Sequence, residues 1–423
     1  MKNIIDILLE RGLIESISHP ELKERAEKPL TVYAGFDPTA DSLHIGNLVG
    51  ILALARFQKL GHTPVAVVGG ATGMIGDPSG KSTERVLLDQ ATIEKNLLGI
   101  KKNLEAVLDF EHPTAKPIIV NNYDWFQNFG YIEFLRDVGK HFRLGVMLGK
   151  ESVKNRLNSE EGISYTEFSY QLLQAYDFLH LNENFSVSLQ LGGSDQWGNI
   201  TAGIDLVRKI SGKQVYGLTF PLLTRSDGKK FGKSEEGTIW LSKDKLPPYH
   251  FYQYLLRLPD ADVIKLMKML TFMEIAEINE IQENMSKSDY TPNSAQKRLA
   301  EEVTLLIHKK EGLEQALKLT ESAAPGAKTS LDGKTLEALA QEMKSFSIQK
   351  QEVLGQPLIN LLVTSGLQPS KAEARRLIAN GGVYVNNEKV PGIEFSLQNE
   401  HFIDGKWILV AIGKKHKMVI KLT

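Results

Sequence analysis

The chain of 423 residues contains no cysteine, which removes disulfides, thiolate zinc sites and cysteine nucleophiles from consideration. Long apolar runs are also missing, and no stretch approaches the roughly 18 residues that a membrane span needs. Residues 1–14 break their apolar positions with Asp6, Glu10 and Arg11, the pattern of an amphipathic helix rather than a signal peptide. No membrane partner is expected, and a cytoplasmic location is the default reading. An excess of one charge is lacking too, with 50 Lys+Arg against 51 Asp+Glu, so a nucleic-acid surface has to be sought locally. Finally, there is no P-loop. Residues 76–82 and 228–234 both end in Gly-Lys-Ser, but three residues separate their glycines where that motif needs four. The dinucleotide fingerprint fails as well, because Ala71 stands where its second glycine would be.

What is present begins with an ordinary globular composition, 42% hydrophobic and 24% charged, in a chain long enough for two or three domains. Residues 30–36 read as a buried strand, 37–42 as a turn, 43–60 as a long helix and 64–68 as a second strand. A Gly-rich loop, 69–77, follows, and the strand at 185–191 runs into another at 192–197. Strands alternating with helices and ending in Gly-rich loops predict an α/β fold with a Rossmann-like, doubly wound parallel sheet, whose ligands lie beyond the carboxyl ends of the strands. The expected domains are a catalytic one over 1–220, a helical one over 221–320 with Ser294 capping 295–308, a linker over 321–350, and a small α+β module over 351–423.

Two short tags carry chemistry. His44-Ile45-Gly46-Asn47 follows Tyr33-Ala34-Gly35-Phe36-Asp37-Pro38-Thr39, and Lys230-Phe231-Gly232-Lys233-Ser234 lies far downstream. Thr39 and His44 flank the expected start of a helix after a strand, where N–H groups and the helix dipole favour anionic oxygens. Gly46 would let a nucleotide approach the backbone. Lysines on a Gly-hinged loop can stabilise a leaving pyrophosphate, and Lys81 and Arg85 would reach the same phosphates. In the helix around 169–180, Tyr170, Gln174 and Asp177 share one face. Asp77 supplies a carboxylate and Tyr170 and Gln174 supply hydrogen bonds, the set that an amino-acid ammonium needs, leaving Tyr33 and Asp177 to meet the far end of a substrate.

In this order the tags resemble the nucleotide signatures of a class I aminoacyl-tRNA synthetase. Together with the Asp77 loop, residues 170–177 and Gly193-Ser194-Asp195-Gln196-Trp197, they resemble the bacterial-type tyrosyl-tRNA synthetases over essentially the whole chain. The resemblance implies ATP with Mg2+, tyrosine and tRNA(Tyr) as ligands. It implies that Tyr33 and Asp177 bind the phenolic hydroxyl, that Asp77, Tyr170, Gln174 and Gln196 hold the rest of tyrosine, and that Gly35, Asp37, Thr39, His44, Gly46, Asn47, Gly193, Asp195 and Lys233 bind ATP. The catalytic set it implies is Thr39, His44, Asn47, Lys81, Arg85, Lys230, Lys233 and Ser234. The family's homodimer implies an interface in the first domain near 125–142. Two positions depart from the family pattern: Asn47 replaces the second histidine of His-Ile-Gly-His, and Ala34 stands where a cysteine is frequent. ATP affinity and rate are the parameters those departures touch. The sibling tryptophanyl enzyme fits less well, because Tyr33 and Asp177 suit a phenol.

Residues 358–386, with Ser370 and Glu373 forming a capping box and Asn380-Gly381 ending a helix before a strand, resemble a small RNA-binding module shared with a ribosomal protein. Residues 351–423 hold 9 Lys+Arg and 6 Asp+Glu, a local excess that suits phosphate contacts. Arg375, Arg376, Lys414, Lys415 and Lys417, and Arg208 and Lys209 from the first domain, are the candidate tRNA contacts.

Overall fold

The structure, a computed structural model, describes residues 2–79, 88–160, 162–226, 231–234, 237–327, 331–413 and 416–423. The chain divides into two compact units: Met1–Leu246 with Tyr254–Ile307, and Pro247–Gln253 with His308–Thr423. Lys81, Arg85, Lys230, Lys414 and Lys415 lie outside the described residues, as do the side chains of Lys233 and Ser234.

The first unit is built on six strands: β1 (Ser16–Ile17), β2 (Thr31–Phe36), β3 (Thr63–Val68), β4 (Ile118–Asn121), β5 (Val187–Gly193) and β6 (Tyr216–Phe220). Their order is β1-β6-β5-β2-β3-β4. All neighbours are parallel except β1, which runs antiparallel to β6. The chain winds outward from β2 through β3 to β4, then returns to β5 on the other side of β2. This reversal opens a crevice at the carboxyl ends of β2 and β5, the position where doubly wound sheets bind ligands. Val32, Val65, Ala66, Val67 and Leu189 are buried, as expected of parallel strands covered on both faces. Helix α1 (Leu48–Lys59) buries every residue except Lys59, so it lies inside the unit rather than on its surface.

Helix α1 starts later than the sequence predicts. Leu43 and Ile45 flank an isolated bridge instead: Ile45 N–H donates to Ile239 O at 2.8 Å and Leu241 N–H to Leu43 O at 2.8 Å, with His44 opposite Trp240 in antiparallel sense. A pairing partner nearly 200 residues away leaves no trace in local periodicity. Further helices bring in side chains beyond the sheet: α2 (Thr72–Ile75), α3 (Tyr123–Phe126), α4 (Tyr165–Phe185) and α5 (Trp197–Ser211). The separate helical domain expected over 221–320 is not what the structure shows. Helix α6 (Asp260–Leu270) belongs to the first unit, where Arg11 and Arg56 donate to the carbonyls of Lys268, Met269 and Thr271 at its C-terminus. These are the acceptors that a helix end leaves unsatisfied.

In the second unit, β7 (Ser345–Ile348), β8 (Val383–Val385), β9 (Glu388–Lys389), β10 (Trp407–Ile412) and β11 (His416–Leu422) form a sheet in the order β9-β8-β10-β11-β7. The linker expected over 321–350 is instead partly folded. Helix α7 (Gly333–Glu342) packs Leu336 and Leu339 against Leu409 and Val419, and β7 pairs parallel with β11. Burying two leucines stabilises by about 2 kcal/mol each. The polar run around Pro325-Gly326 hides that stripe from a compositional reading. On the opposite face, Ile408 and Val410 pack with Leu358, Leu362 and Ile378 from α8 (Leu358–Thr364) and α9 (Lys371–Ala379). Ser370 caps α9 by accepting from Glu373 N at 3.2 Å, the Ser370 half of the expected capping box.

Candidate active site

Strand ends and the helices that follow them converge on the crevice. β2 carries Tyr33 and leads into Asp37, β4 leads into Asn122 and then Trp125 of α3, and α4 contributes Tyr170, Gln174 and Asp177. At the closed end, Asp177 is buried and accepts from Trp125 Nε1 at 2.9 Å and from Asn122 Nδ2 at 3.1 Å. Burial pushes its carboxyl up to about 8, the Asp37 charge adds to the rise, and the two donors oppose it. Tyr33, 2% exposed, packs edge-on against Phe178 at 5.2 Å between ring centres. Its hydroxyl has no hydrogen-bond partner among the described residues. Burial first, then the nearby Asp177 charge, raises its pKa well above the ordinary tyrosine value.

From Asp177 a chain of hydrogen bonds runs towards the mouth. Asn122 Nδ2 also donates to Thr72 Oγ1 at 3.0 Å, Thr72 Oγ1 donates to Asp37 Oδ1 at 2.8 Å, and the Tyr170 hydroxyl donates to Asp37 Oδ2 at 2.8 Å. Tyr170 is thus turned to Asp37. Burial, then the charges of Asp37 and Asp77, keep its phenol protonated far above the usual range.

A second cluster forms at the end of β5. Gln196 Nε2 donates to Asp77 Oδ2 at 2.7 Å, and the other Asp77 oxygen accepts from Ser79 N at 2.9 Å. Asn199 Nδ2 donates to Gln174 Oε1 at 2.9 Å, so one buried amide orients a residue of α4 from α5. Asp195 stands at the rim beside Gly193, the last residue of β5. Loss of hydration, and then the Asp77 charge, push its carboxyl upward. Thr39 is exposed just past β2, and Gly35 opens its missing side chain to free space.

The two signatures meet in the same unit. His44 Nδ1 accepts from Gly46 N at 3.0 Å, which leaves the imidazole proton on Nε2. A Cβ on Gly46 would stand 2.8 Å from His44 Cε1, so the ring itself demands glycine there, whatever approaches from outside. Asn47 Oδ1 accepts from His44 N at 3.1 Å, closing the turn from the signature's last residue back to His44. From the second signature, Gly232 O accepts from Ile239 N at 2.9 Å, one residue from the strand pairing that holds Trp240 opposite His44.

Of the candidate tRNA contacts, Arg208 and Lys209 lie on α5, and both bind Asp205 at 2.6 Å. Lys209 also donates to His141 O at 2.7 Å beside a cavity of about 330 Å³ that includes Lys150 and Gln171 in its wall. Arg375 and Arg376 lie on α9, where Arg376 pairs loosely with Glu373 at 3.9 Å. Lys417 lies on β11. The sequence reading missed Thr72, Asn122, Trp125 and Asn199. Asn122 directly follows an apolar strand, the one local signal that could have singled it out.

The fold places these residues in the crevice of a doubly wound sheet, and the comparisons show the class to which the chain belongs, the class I tRNA synthetases. Residues 24–323 match the family described as tRNA synthetases class I (W and Y), and residues 335–420 match the Tyrosine--tRNA ligase SYY-like C-terminal domain. The chain is 60% identical to the tyrosine–tRNA ligase of Protochlamydia amoebophila, covering 100% of this chain and 99% of that one. It is 50% identical to the chloroplastic/mitochondrial tyrosine–tRNA ligase of Arabidopsis thaliana, covering 100% and 84%. The C-terminally truncated mitochondrial tyrosyl-tRNA synthetase of Aspergillus nidulans is a similar solved structure, with TM-score 0.66 and 33% identity over 75% of this chain and 92% of that one. The chain belongs to the tyrosine–tRNA ligase family.

Proposed function

We propose that the crevice activates tyrosine with ATP and passes the tyrosyl group to the 3'-terminal adenosine of tRNA(Tyr). The observation that carries this reading is the Tyr33 hydroxyl, buried without a hydrogen-bond partner among the described residues and close to the Asp177 charge. An unsatisfied buried hydroxyl costs about 1–3 kcal/mol. A phenolic O–H entering between Tyr33 and Asp177 can donate to the carboxylate and accept from Tyr33, removing that cost. Phenylalanine would leave the Tyr33 hydroxyl unsatisfied and would bring Asp177 no further donor.

With the phenol anchored there, Asp77, Tyr170, Gln174 and Gln196 face the amino-acid head. The tyrosine carboxylate then attacks the α-phosphorus in line, the bond to the bridging oxygen breaks, and pyrophosphate leaves. A ribose hydroxyl of the tRNA next attacks the acyl carbon and AMP departs. No protein nucleophile is required; orientation and charge stabilisation carry the first step. The Nε2 proton of His44 is a donor for a phosphate oxygen, with Thr39 nearby in sequence and Asn47 fixing the turn. Gly35, Asp37, Gly46, Gly193 and Asp195 line the nucleotide side, and Lys81, Arg85, Lys230, Lys233 and Ser234 complete the phosphate set. Mg2+ enters with ATP as part of the substrate.

The tRNA surface in this reading comprises Arg208, Lys209, Arg375, Arg376, Lys414, Lys415 and Lys417. A homodimer is supported by apolar residues left at the surface between 131 and 165, among them Tyr131 at 61% and Ile132 at 74% exposure, beyond what a solitary surface residue explains. Among the described residues no helix is long and apolar enough to cross a membrane; the cytoplasm is the setting we favour. ATP–pyrophosphate exchange with each amino acid in turn, without tRNA, tests the reading. Exchange with tyrosine alone is expected, and Asp177→Ala should erase the preference for tyrosine over phenylalanine. Exchange supported by tryptophan, or by no amino acid, overturns it.

A further inference from the structure

Gly232 is fixed at both of its backbone polar groups. Its carbonyl accepts from Ile239 N, and its N–H donates to the Tyr254 hydroxyl at 2.9 Å in a buried bond. The preceding residue, Phe231, is buried and packs edge-on against the Tyr254 ring at 5.8 Å. Gly232 has φ +84°, a conformation that side-chain-bearing residues rarely adopt, and a Cβ there would come within 3.1 Å of Ile45 Cγ2. The point where the second signature touches the first is therefore gripped by one aromatic side chain, on helix Pro248–Leu256, that neither signature contains.

We propose that Tyr254 is a positioning residue for the ATP half of the reaction: its hydroxyl and ring set the backbone at Phe231 and Gly232 against Ile45, and so fix the spacing between the two phosphate-binding signatures. This rests on the reading that those signatures bind ATP. Its hydroxyl bond and its ring contact both fall on the second signature, so its effect is expected on the nucleotide side. Removing its hydroxyl leaves the Gly232 N–H without this acceptor, while the ring still packs on Phe231. A single hydrogen bond contributes about 1 kcal/mol net, which corresponds to roughly a five- to tenfold change in a rate or binding constant.

The test compares full-length wild type with Tyr254→Phe and Tyr254→Leu. In tyrosine-dependent ATP–pyrophosphate exchange, Tyr254→Phe is expected to lower kcat/KM for ATP about five- to tenfold. Tyrosine affinity measured without ATP should stay within twofold of wild type, and Tyr254→Leu should lose more on the ATP side only. Unchanged ATP parameters in Tyr254→Phe overturn the proposal. So does equal weakening of tyrosine binding and ATP use, which marks a merely structural residue. Failure of the wild type itself to exchange would overturn the underlying reading, and the proposal with it.

Discussion

The Trp125 indole donates to one oxygen of Asp177 and the Asn122 amide to the other, yet the carboxyl still sits near 8 because burial outweighs both donors. Proton uptake on folding therefore spans the window from its ordinary value of 3.8 to about 8. Since the folded pKa is the raised one, stability falls as pH rises through that window. A phenol donates more strongly to the ionised form, so binding tyrosine releases the proton. Tyrosine affinity is expected to rise with pH up to about 8, by at most about tenfold per unit, and to be flat in Asp177→Asn. Calorimetric titration at pH 6, 7 and 8 reads both; the same slope in the variant would exclude Asp177 as the source.

Gly46→Ala should act on the nucleotide side. The added Cβ has to displace the His44 ring from 2.8 Å and break its bond to the residue-46 N–H. The expected result is a loss of about tenfold or more in kcat/KM for ATP with tyrosine affinity unchanged, measured by pyrophosphate exchange. Wild-type ATP parameters would show that the imidazole position is immaterial.

Arg156 and Glu167 form an ion pair at 2.8 Å with side chains 2% and 1% exposed, and Arg156 also donates to Gly162 O at 2.9 and 3.1 Å. Glu167 lies in the first turn of α4, the helix that carries Tyr170, Gln174 and Asp177. Arg156→Met strands a buried carboxylate and should cost about 3–5 kcal/mol of stability. The double variant Arg156→Met/Glu167→Leu should recover most of it in thermal denaturation.

Charge reversal at Arg375 and Arg376 on α9 should leave pyrophosphate exchange at the wild-type level while weakening tRNA charging about tenfold or more. The loss should shrink as salt is raised, because phosphate contacts release counter-ions. Equal loss of both activities would place these arginines outside the RNA surface.

Much of this was legible where the chemistry is local. Each of β2, β3 and β5 was placed within two residues at either end, because buried parallel strands read as apolar runs followed by Gly-rich loops. The face shared by Tyr170, Gln174 and Asp177 follows from helical spacing. What the sequence concealed are the partners those residues require: Asn122 and Trp125 for Asp177, Asn199 for Gln174, Thr72 for Asp37. They come from other strand ends, and no spacing rule connects them. The start of α1 and the folded part of 321–350 were misread for the same reason, since each depends on a strand partner distant in sequence.

The second unit's sheet carries a consequence for how the chain matures. β11 lies between β10 and β7, so β7, made first, has nothing to pair with until β11 is synthesised. The stretch from Ser345 onward must wait with an open edge and an uncovered apolar face through the whole of α8, α9 and β8 to β10. Closing so long a loop is slow compared with forming its helices, and this part of the molecule is where a chaperone, or an unwanted neighbour, has the longest opportunity to bind.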